Sequence, residues 1–221
     1  MSPPRPVSGV LFDLDGTLAD TAPDLAYALN RVLVEEGHAA LPLAVIRPAA
    51  SHGSAALLRT GFGADHPDTE HLRQRLLTVY QDNIARQTRL FPGMEAVLQQ
   101  LEQRRLPWGV VTNKPARFTE PLLAALGLTP RAACVVSGDT CTESKPHPRP
   151  ILHACEQISA DPALCLYVGD AERDIQAGRR AGARTLAALF GYLGPDDRPQ
   201  DWGADGLLEQ PADILRWLEF D

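Results

Sequence analysis

The sequence predicts an α/β fold, a doubly wound parallel sheet with a helical insertion after its first strand. Short apolar runs without polar alternation are typical of strands that are buried on both faces of a sheet. Helical patterns separate the later runs, and each is long enough to cross between neighbouring parallel strands. Between the first and second runs the periodicity is helical throughout, so we expect an all-helical insertion there.

The first strand is predicted at Val10 to Phe12, and the insertion follows it. Apolar residues recur at helical spacing in two parts of the insertion, first at Leu25, Leu29, Val32 and Leu33 and then at Leu72, Leu76, Leu77 and Tyr80. The polar turn from Asp20 to Pro23 and the segment from Leu90 to Gly93 suit a two-stranded hinge. We therefore predict a core domain of residues 1–20 and 89–221 and a helical domain of residues 21–88.

The remaining elements alternate as such a sheet requires. Further strands are predicted at Trp108 to Val111, Cys134 to Val136, Leu164 to Val168 and Arg184 to Leu189. Helices are predicted at Met94 to Gln103, Pro115 to Leu126, Pro148 to Gln157, Arg173 to Ala181 and Pro211 to Phe220. The last of these has Asp213 in its first turn, where the helix dipole favours a carboxylate.

Composition excludes several classes of protein. The 221 residues are 44% hydrophobic and 22% charged, which is typical of a folded chain rather than a disordered one. The formal charge of −7 shows no basic surplus, so we expect neither nucleic acid nor an anionic membrane as a partner. No apolar run approaches the ~20 residues that cross a bilayer, and no leader opens the chain. We expect a cytoplasmic protein, either a monomer or a homodimer.

The four cysteines contain no Cys-x-x-Cys pair. We expect reduced thiols in the core, because free cysteine is most often simply buried. The alternative is a local metal site, which only His153 beside Cys155 indicates.

Two carboxylates follow the first predicted strand. Asp13 and Asp15 are two residues apart in extended chain, so both leave the sheet edge on the same side and repel unless a cation joins them. Gly16 permits a sharp turn and Thr17 adds a hydroxyl, which is typical of a loop that carries a nucleophile. The plainer interpretation is an acidic turn.

Polar clusters also follow the next three strands. Thr112 and Asn113 precede a helix N-terminus, where free amides favour a phosphate. Lys145 offers an ammonium that offsets carboxylate and phosphate charge. Asp170 and Asp174 offer oxygen ligands of the kind that Mg²⁺ takes. Each has a plain alternative, a helix cap or a solvated surface charge, but open α/β sheets bind ligands at this edge, so together the clusters predict one site.

These motifs resemble those of the haloacid dehalogenase superfamily, whose phosphatases share a Rossmann-like core. The resemblance rests on Asp13-Leu14-Asp15-Gly16-Thr17-Leu18, Thr112-Asn113, Lys145, and Gly169-Asp170 with Asp174. The four motifs occur in the superfamily's order and span the whole chain. The helical insertion is similar to the cap that this superfamily places after its first strand.

The resemblance implies that Asp13 attacks phosphorus and forms an aspartyl phosphate, while Asp15 protonates the leaving oxygen and later activates water. It implies Mg²⁺ held by Asp13, the backbone carbonyl of Asp15, and Asp170. Asp174 would act through water or orient its neighbours. These roles fit the chemistry of phosphoryl transfer, which depends mainly on positioning of the reacting groups and on cations that offset the phosphate charge.

For the phosphoryl oxygens, the resemblance implies contacts from Thr112 and Asn113, with Lys145 neutralising charge. Dehalogenases of the superfamily lack the second carboxylate, so Asp15 favours phosphoryl transfer. Mutase relatives carry a histidine early in the first cap helix, where this chain has Ala22 to Tyr27, which favours hydrolysis. A non-catalytic binding protein is the remaining alternative, but such descendants usually lose a motif carboxylate.

The substrate is expected to be a small carboxylated metabolite or a sugar phosphate. The segment from Asp20 to Leu25 resembles the phosphoglycolate phosphatase branch. Other segments resemble the phosphatases of N-acetylmuramic acid 6-phosphate, namely Trp108 to Pro115, Arg117-Phe118, Gly191-Tyr192 and Trp202 to Asp205. We rank N-acetylmuramic acid 6-phosphate first and phosphoglycolate second.

Specificity is expected to reside in the helical insertion, because the core grips the phosphoryl group of any substrate. Pro48 and Gly53 bracket a predicted break between helices, which places Arg47, Ser51 and His52 in a polar loop facing the sheet edge. Arg47 there would clamp a substrate carboxylate bidentately. The alternative is a surface turn.

Overall fold

The structure is a computed structural model that describes residues 6–64 and 69–218. The strands in these residues are β1 (Gly9–Phe12), β2 (Ala19–Asp20), β3 (Arg89–Leu90), β4 (Trp108–Val111), β5 (Cys134–Val136), β6 (Cys165–Gly169), β7 (Arg184–Ala188) and β8 (Gly206–Leu208). The α-helices are α1 (Ala22–Glu35), α2 (Leu43–Ala50), α3 (Gly53–Phe62), α4 (Thr69–Gln81), α5 (Met94–Gln103), α6 (Ala116–Ala125), α7 (Arg149–Gln157) and α8 (Glu172–Ala181).

The main sheet is parallel throughout and follows the order β5-β4-β1-β6-β7-β8. All four residues of β1 and all five of β6 are buried, because helices cover both faces of the sheet. The predicted α/β class, with its doubly wound sheet and the helices between strands, is confirmed.

The chain after β7 differs from its prediction in two ways. Strand β8 was not predicted, because it is only three residues long at the sheet edge and Leu207 is exposed. The predicted closing helix from Pro211 is present as a 3₁₀ helix, Pro211–Trp217, rather than an α-helix. Its hydrogen bonds span three residues, as in Leu218 N–H to Leu215 C=O at 3.1 Å, which keeps such helices short. Its predicted end at Phe220 lies outside the described residues.

The helical insertion, α1 to α4, is joined to the sheet by a short antiparallel pair, in which Ala19 of β2 faces Leu90 of β3. Just beyond this pair, the buried Asp24 carboxylate accepts hydrogen bonds from the Thr88 N–H (2.9 Å), the Thr88 hydroxyl (2.8 Å) and the Gln87 N–H (3.0 Å). The two segments that connect the insertion to the sheet are therefore hydrogen-bonded to each other. The apolar residues that predicted α1 and α4 are buried, except Leu77, which is half-buried.

Helix α2 contains both Arg47 and Pro48, so the prediction that Arg47 lies in a loop is wrong. Proline removes one backbone hydrogen bond, but Ile46, Ala49 and Ala50 are buried, and this packing outweighs the local preference. The turn follows α2, at Ser51 and His52.

Two further expectations concern membranes and thiols. Within residues 6–64 and 69–218, no helix is long and apolar enough to cross a bilayer. Cys134, Cys155 and Cys165 are buried free thiols, and Cys141 is half-buried. His153 contacts Glu156 and Gln157 and belongs to no metal-ligating group of the described residues.

Candidate active site

The carboxyl edge of the sheet gathers the polar residues that follow the strands. Strand β1 lies between β4 and β6, where the strand order reverses direction, and open α/β sheets bind their ligands at this point. Phe12 pairs in register with Val110 on one side and Val168 on the other. The residues beyond these strands therefore emerge side by side at one edge.

Asp13 is the first residue after β1 and is almost fully buried. Its Oδ1 accepts the Leu14 N–H at 2.7 Å and lies 2.9 Å from the Lys145 ammonium. Burial raises the pKa of Asp13, and the Lys145 charge opposes that rise. Because both contacts are to Oδ1, they leave Oδ2 for bond formation, as a nucleophile requires.

Lys145 is the cation at the centre of the site, and its side chain is fully buried. Besides Asp13, its ammonium lies 2.7 Å from the Asp174 carboxylate. It also donates to the Tyr167 hydroxyl at 2.9 Å and to the Val111 carbonyl at 3.0 Å. These partners hold the charge between two carboxylates, where it offsets their repulsion.

Thr112 and Asn113 lie at the end of β4, as predicted, and both line the adjoining cavity. The Asn113 side chain donates to the Lys145 carbonyl at 2.9 Å and accepts the Lys145 N–H at 3.0 Å. Its amide group therefore fixes the segment that carries Lys145. The Thr112 hydroxyl accepts the Lys114 N–H at 3.1 Å and orders the following turn.

Three buried carboxylates converge at this edge. One carboxylate oxygen from each of Asp13, Asp170 and Asp174 lies within 4.8 Å of the others. Burial, together with the charges of Asp13 and Asp174, raises the pKa of Asp170 to about 7. Oxygen donors that repel one another in a buried cluster are suited to a hard divalent cation.

Asp15 is turned away from this cluster. Its carboxylate lies 2.9 and 3.2 Å from the Lys114 ammonium and accepts the Thr21 hydroxyl at 2.5 Å. Gly16 follows with φ of +86°, and a Cβ there would lie 2.1 Å from Asp170 Oδ2, so only glycine fits. The turn brings the backbone of Asp15 close to Asp170 while its side chain faces the cavity.

Ser51 and His52 reach the site from the turn after α2, as predicted. The Ser51 hydroxyl donates to Asp170 Oδ2 at 2.7 Å and lies 3.3 Å from the Asp15 carbonyl. Arg173 joins this contact from α8, donating to the Ser51 carbonyl at 2.6 Å and lying 3.1 Å from His52 Nδ1. Burial and the Arg173 charge lower the pKa of His52.

Arg47 does not line the cavity and instead joins the insertion to the hinge. Its guanidinium pairs with Asp20 at 2.8 Å and lies over the Tyr192 ring, 5.4 Å from the centroid. The Tyr192 hydroxyl donates to Asp20 at 2.8 Å and accepts the Ala22 N–H at 2.8 Å. The Tyr192 N–H donates to Asp170 Oδ2 at 2.9 Å. This clasp, formed by Arg47, Asp20 and Tyr192, links the hinge to the carboxylate cluster.

A cavity of about 430 Å³ opens above Asp13 and Asp15. Residues of the insertion and of the core both line it, so core side chains as well as the insertion can reach a leaving group held there. The insertion contributes Ser51, His52, Arg73, Leu76 and Tyr80, among others. The core contributes Lys114, Arg117, Phe118 and Arg173 beside the motif residues.

The family model described as haloacid dehalogenase-like hydrolase matches residues 10–188 of the chain, which includes every motif residue described above. The chain belongs to this family.

Relatives and solved structures match this haloacid dehalogenase-like hydrolase over nearly its whole length. An N-acetylmuramic acid 6-phosphate phosphatase of Pseudomonas putida is 43% identical, with 95% of each chain covered. A phosphoglycolate phosphatase of Xanthomonas campestris is 46% identical, with 93% of each covered. A crystal structure described as a predicted phosphoglycolate phosphatase from Haemophilus somnus is 26% identical with a TM-score of 0.85, covering 96% of this chain and 98% of that one.

Several residues of this hydrolase site were not predicted from the sequence. Lys114 directly follows Thr112-Asn113, and that position next to a motif is a signal that could have found it. Arg173 lies between Asp170 and Asp174, so the same signal applies. Tyr80 and Arg73 carry no such signal, because they reach the cavity only through the packing of α4 over the core.

Proposed function

We propose that this chain is a Mg²⁺-dependent phosphomonoester hydrolase that acts through an aspartyl-phosphate intermediate on Asp13. The observation that carries the proposal is the buried contact of Asp13 with Lys145 at the carboxyl edge of the sheet, beside two further carboxylates. Charged groups on an ordinary protein surface stay in contact with water, whereas phosphoryl transfer requires several charges buried in fixed positions.

Attack on phosphorus is assigned to Asp13 Oδ2, since Oδ1 is held by the Leu14 amide and Lys145. The P–O bond to the leaving group breaks as the bond to Asp13 forms. Asp15, which faces the same cavity, gives a proton to the leaving oxygen and takes one from the water that later hydrolyses the acyl phosphate. Thr112, the main-chain amide of Asn113 and Lys145 are assigned to the phosphoryl oxygens.

The donor set fits a divalent cation, because its three buried carboxylates lie close together and repel. We assign Mg²⁺ to Asp13, Asp170 and the backbone carbonyl of Asp15. Asp174 is assigned to orienting these ligands rather than to the metal. One of its oxygens pairs with Lys145 at 2.7 Å, and the other accepts the Ala171 N–H at 3.1 Å. When bound, Mg²⁺ supplies positive charge that a phosphate dianion needs in order to approach these carboxylates.

The substrate is assigned to N-acetylmuramic acid 6-phosphate, with phosphoglycolate as the second candidate. The Pseudomonas relative supports the first, and a cavity of about 430 Å³ is within the size range of small-molecule sites that hold a sugar. The Xanthomonas relative supports the second. We propose residues 21–88 as the cap over a core of residues 1–20 and 89–221, and a cytoplasmic location stays a prediction.

A panel of sugar phosphates, phosphoglycolate and p-nitrophenyl phosphate, assayed with Mg²⁺ and with EDTA, tests this function. We expect hydrolysis with Mg²⁺, none after chelation, and a higher kcat/KM for N-acetylmuramic acid 6-phosphate than for phosphoglycolate. Full activity in metal-free enzyme would reject the metal site, and a higher kcat/KM for phosphoglycolate would put the second candidate first.

A further inference from the structure

The cavity is lined by a row of cations and aromatic rings that starts from the Asp15 carboxylate. It begins at Asp15, which pairs with Lys114. The Lys114 ammonium lies over the Tyr80 ring, 4.6 Å from its centroid, and the Tyr80 ring packs on Phe118 at 5.6 Å. The row ends at Arg117, whose guanidinium lies 4.6 Å from the Phe118 centroid. It thus leads from the acid that serves the leaving oxygen to a cation beyond it.

Arg117 differs from the other cavity cations in its partners. Arg73 is paired with both oxygens of Glu70, and Lys114 is paired with Asp15. Arg173 donates to the Ser51 carbonyl. Arg117 is exposed, and among residues 6–64 and 69–218 its contact is the Phe118 ring rather than a carboxylate. A guanidinium that rests on an aromatic face keeps its fork of N–H donors free for a ligand.

Tyr80 adds an independent observation from the cap. Its side chain is 1% exposed and lines the cavity, and the Lys114 ammonium is its one charged neighbour close enough to donate to the hydroxyl oxygen, yet no described residue accepts the hydroxyl proton. Burial raises the pKa of Tyr80 to about 12, so the hydroxyl stays protonated and able to donate at neutral pH. A buried O–H without an acceptor is costly, and a ligand in the cavity would supply the missing acceptor.

We propose that Arg117 and the Tyr80 hydroxyl form the leaving-group site, with Arg117 binding a carboxylate of the leaving group and Tyr80 donating to another of its oxygens. This inference rests on the proposed phosphatase function and assigns specificity to a core residue as well as to the cap. It selects phosphomonoesters whose leaving group bears a carboxylate. Arg47 is held in the clasp and does not contact the substrate.

Two substrate pairs that differ chiefly in one carboxylate test this site. N-acetylmuramic acid 6-phosphate is compared with N-acetylglucosamine 6-phosphate, which lacks the lactyl group, and phosphoglycolate is compared with ethyl phosphate. We expect wild-type kcat/KM to favour the acid in at least one pair. Arg117→Met should lower kcat/KM for that acid by about 10- to 100-fold, the loss expected for one charged hydrogen-bonding partner, and change its neutral analogue by less than about twofold.

Arg117→Lys should restore part of the preference, because it keeps the charge and loses the fork. Arg104→Met, which removes an exposed arginine at the end of α5, is the matched control and should leave both members of each pair unchanged. Tyr80→Phe should lower kcat/KM while leaving Tm unchanged or higher, since the hydroxyl donates to no protein acceptor and the Lys114 ammonium keeps its pair with Asp15. A lower Tm with unchanged kcat/KM would show that the hydroxyl is structural and would remove it from the site.

Calorimetric titration with N-acetylmuramic acid and with N-acetylglucosamine gives a readout that does not depend on turnover. We expect the acid to bind more tightly, and Arg117→Met to abolish that difference. Equal losses on acid and neutral substrates, or no preference for the acid in either pair or in the titration, would overturn the site. Hydrolysis of p-nitrophenyl phosphate in that case would leave the phosphatase proposal standing, whereas its absence with every substrate would reject that proposal.

Discussion

The site has two halves that differ in how their charges are satisfied. The floor, defined as Asp13, Lys145, Asp170 and Asp174, is almost completely buried, and its charges meet one another. The rim is defined as the four other cations that line the cavity, namely Arg73, Lys114, Arg117 and Arg173. Arg73 is 34% exposed and bonded to a residue of its own helix, and Arg117 rests on a ring.

This difference indicates a division of labour between chemistry and recognition. Asp13 and Asp170 follow the adjacent strands β1 and β6, where parallel pairing fixes the backbone, and Lys145 and Asp174 are held by buried ion pairs, so the geometry of the floor does not depend on the substrate. The rim is divided between the core and the insertion, so its shape depends on how the two pack. Substitutions in the floor should therefore affect all substrates, whereas substitutions in the rim should affect some of them.

The largest effect is expected at Asp13. Asp13→Asn should lower kcat for every substrate by on the order of 10⁶-fold, the loss seen when a covalent enzyme loses its nucleophile, because a neutral amide cannot attack phosphorus. Rapid quench and intact-mass measurement should detect a phosphoryl adduct on the wild type alone. Asp82→Asn, at an exposed position, is the control. Substantial residual turnover in Asp13→Asn would rule out the covalent mechanism.

Asp15→Asn should cause the next largest loss, about 10²- to 10⁴-fold in kcat, as expected for removal of a general acid and base. The loss should be smaller for p-nitrophenyl phosphate than for a sugar phosphate whenever cleavage limits the rate, because nitrophenolate leaves without a proton. Single-turnover rates of both substrates measure this difference. Equal losses in the cleavage step would mean that Asp15 does not protonate the leaving group.

The two buried lysines give a direct comparison of floor and rim in stability. Lys145→Met leaves Asp13 and Asp174 buried without their cation and should lower the free energy of unfolding by about 3–5 kcal/mol. Lys114→Met leaves only Asp15, whose side chain is 14% exposed and can reach water, so its cost should be clearly smaller. Urea unfolding of metal-free protein measures both. A larger cost for Lys114→Met would contradict the distinction.

The smallest effect is expected at the clasp. Arg47→Ala breaks a half-buried ion pair, an interaction worth about 1 kcal/mol or less, so kcat/KM should fall by no more than about fivefold. The fall should be the same for acidic and neutral substrates, because Arg47 lies outside the cavity. A selective loss on carboxylated substrates would restore Arg47 as a substrate ligand and weaken the assignment to Arg117.

The fold and the floor were predictable because their signals are local. Asp13, Thr112 and Asp170 each directly follow an apolar run, and parallel pairing brings such positions together whatever the connecting helices contain. Lys145 lies in the loop after β5, where the Asn113 side chain holds its backbone. The predicted burial of β1 and β6 follows from the same runs. Strand β8 carried too little apolar sequence to be found.

The rim was not predictable, because its residues meet only through tertiary packing. Tyr80 and Lys114 are far apart in the sequence, and nothing near either residue indicates that the ammonium lies over the ring. Arg47 was predicted to lie in a loop because proline, here Pro48, usually ends a helix. In the structure, the burial of Ile46 and its neighbours keeps α2 intact. The Asp15 carboxylate was expected to leave the sheet edge together with that of Asp13, and its pairing with Lys114 instead depends on a turn whose direction the sequence does not specify.

The hydrogen bonds at the hinge determine where a different cap could be grafted onto this core. A junction drawn at residues 21 and 88 would separate Thr21 from Asp15 and Ala22 from the Tyr192 hydroxyl. Junctions after Ala22 and after Thr88 keep those bonds in the recipient, while the donor segment brings its own counterpart of the Asp24 bonds to Thr88. The interchangeable cassette is thus slightly shorter than the helical domain, and its ends are set by hydrogen bonds rather than by helix boundaries.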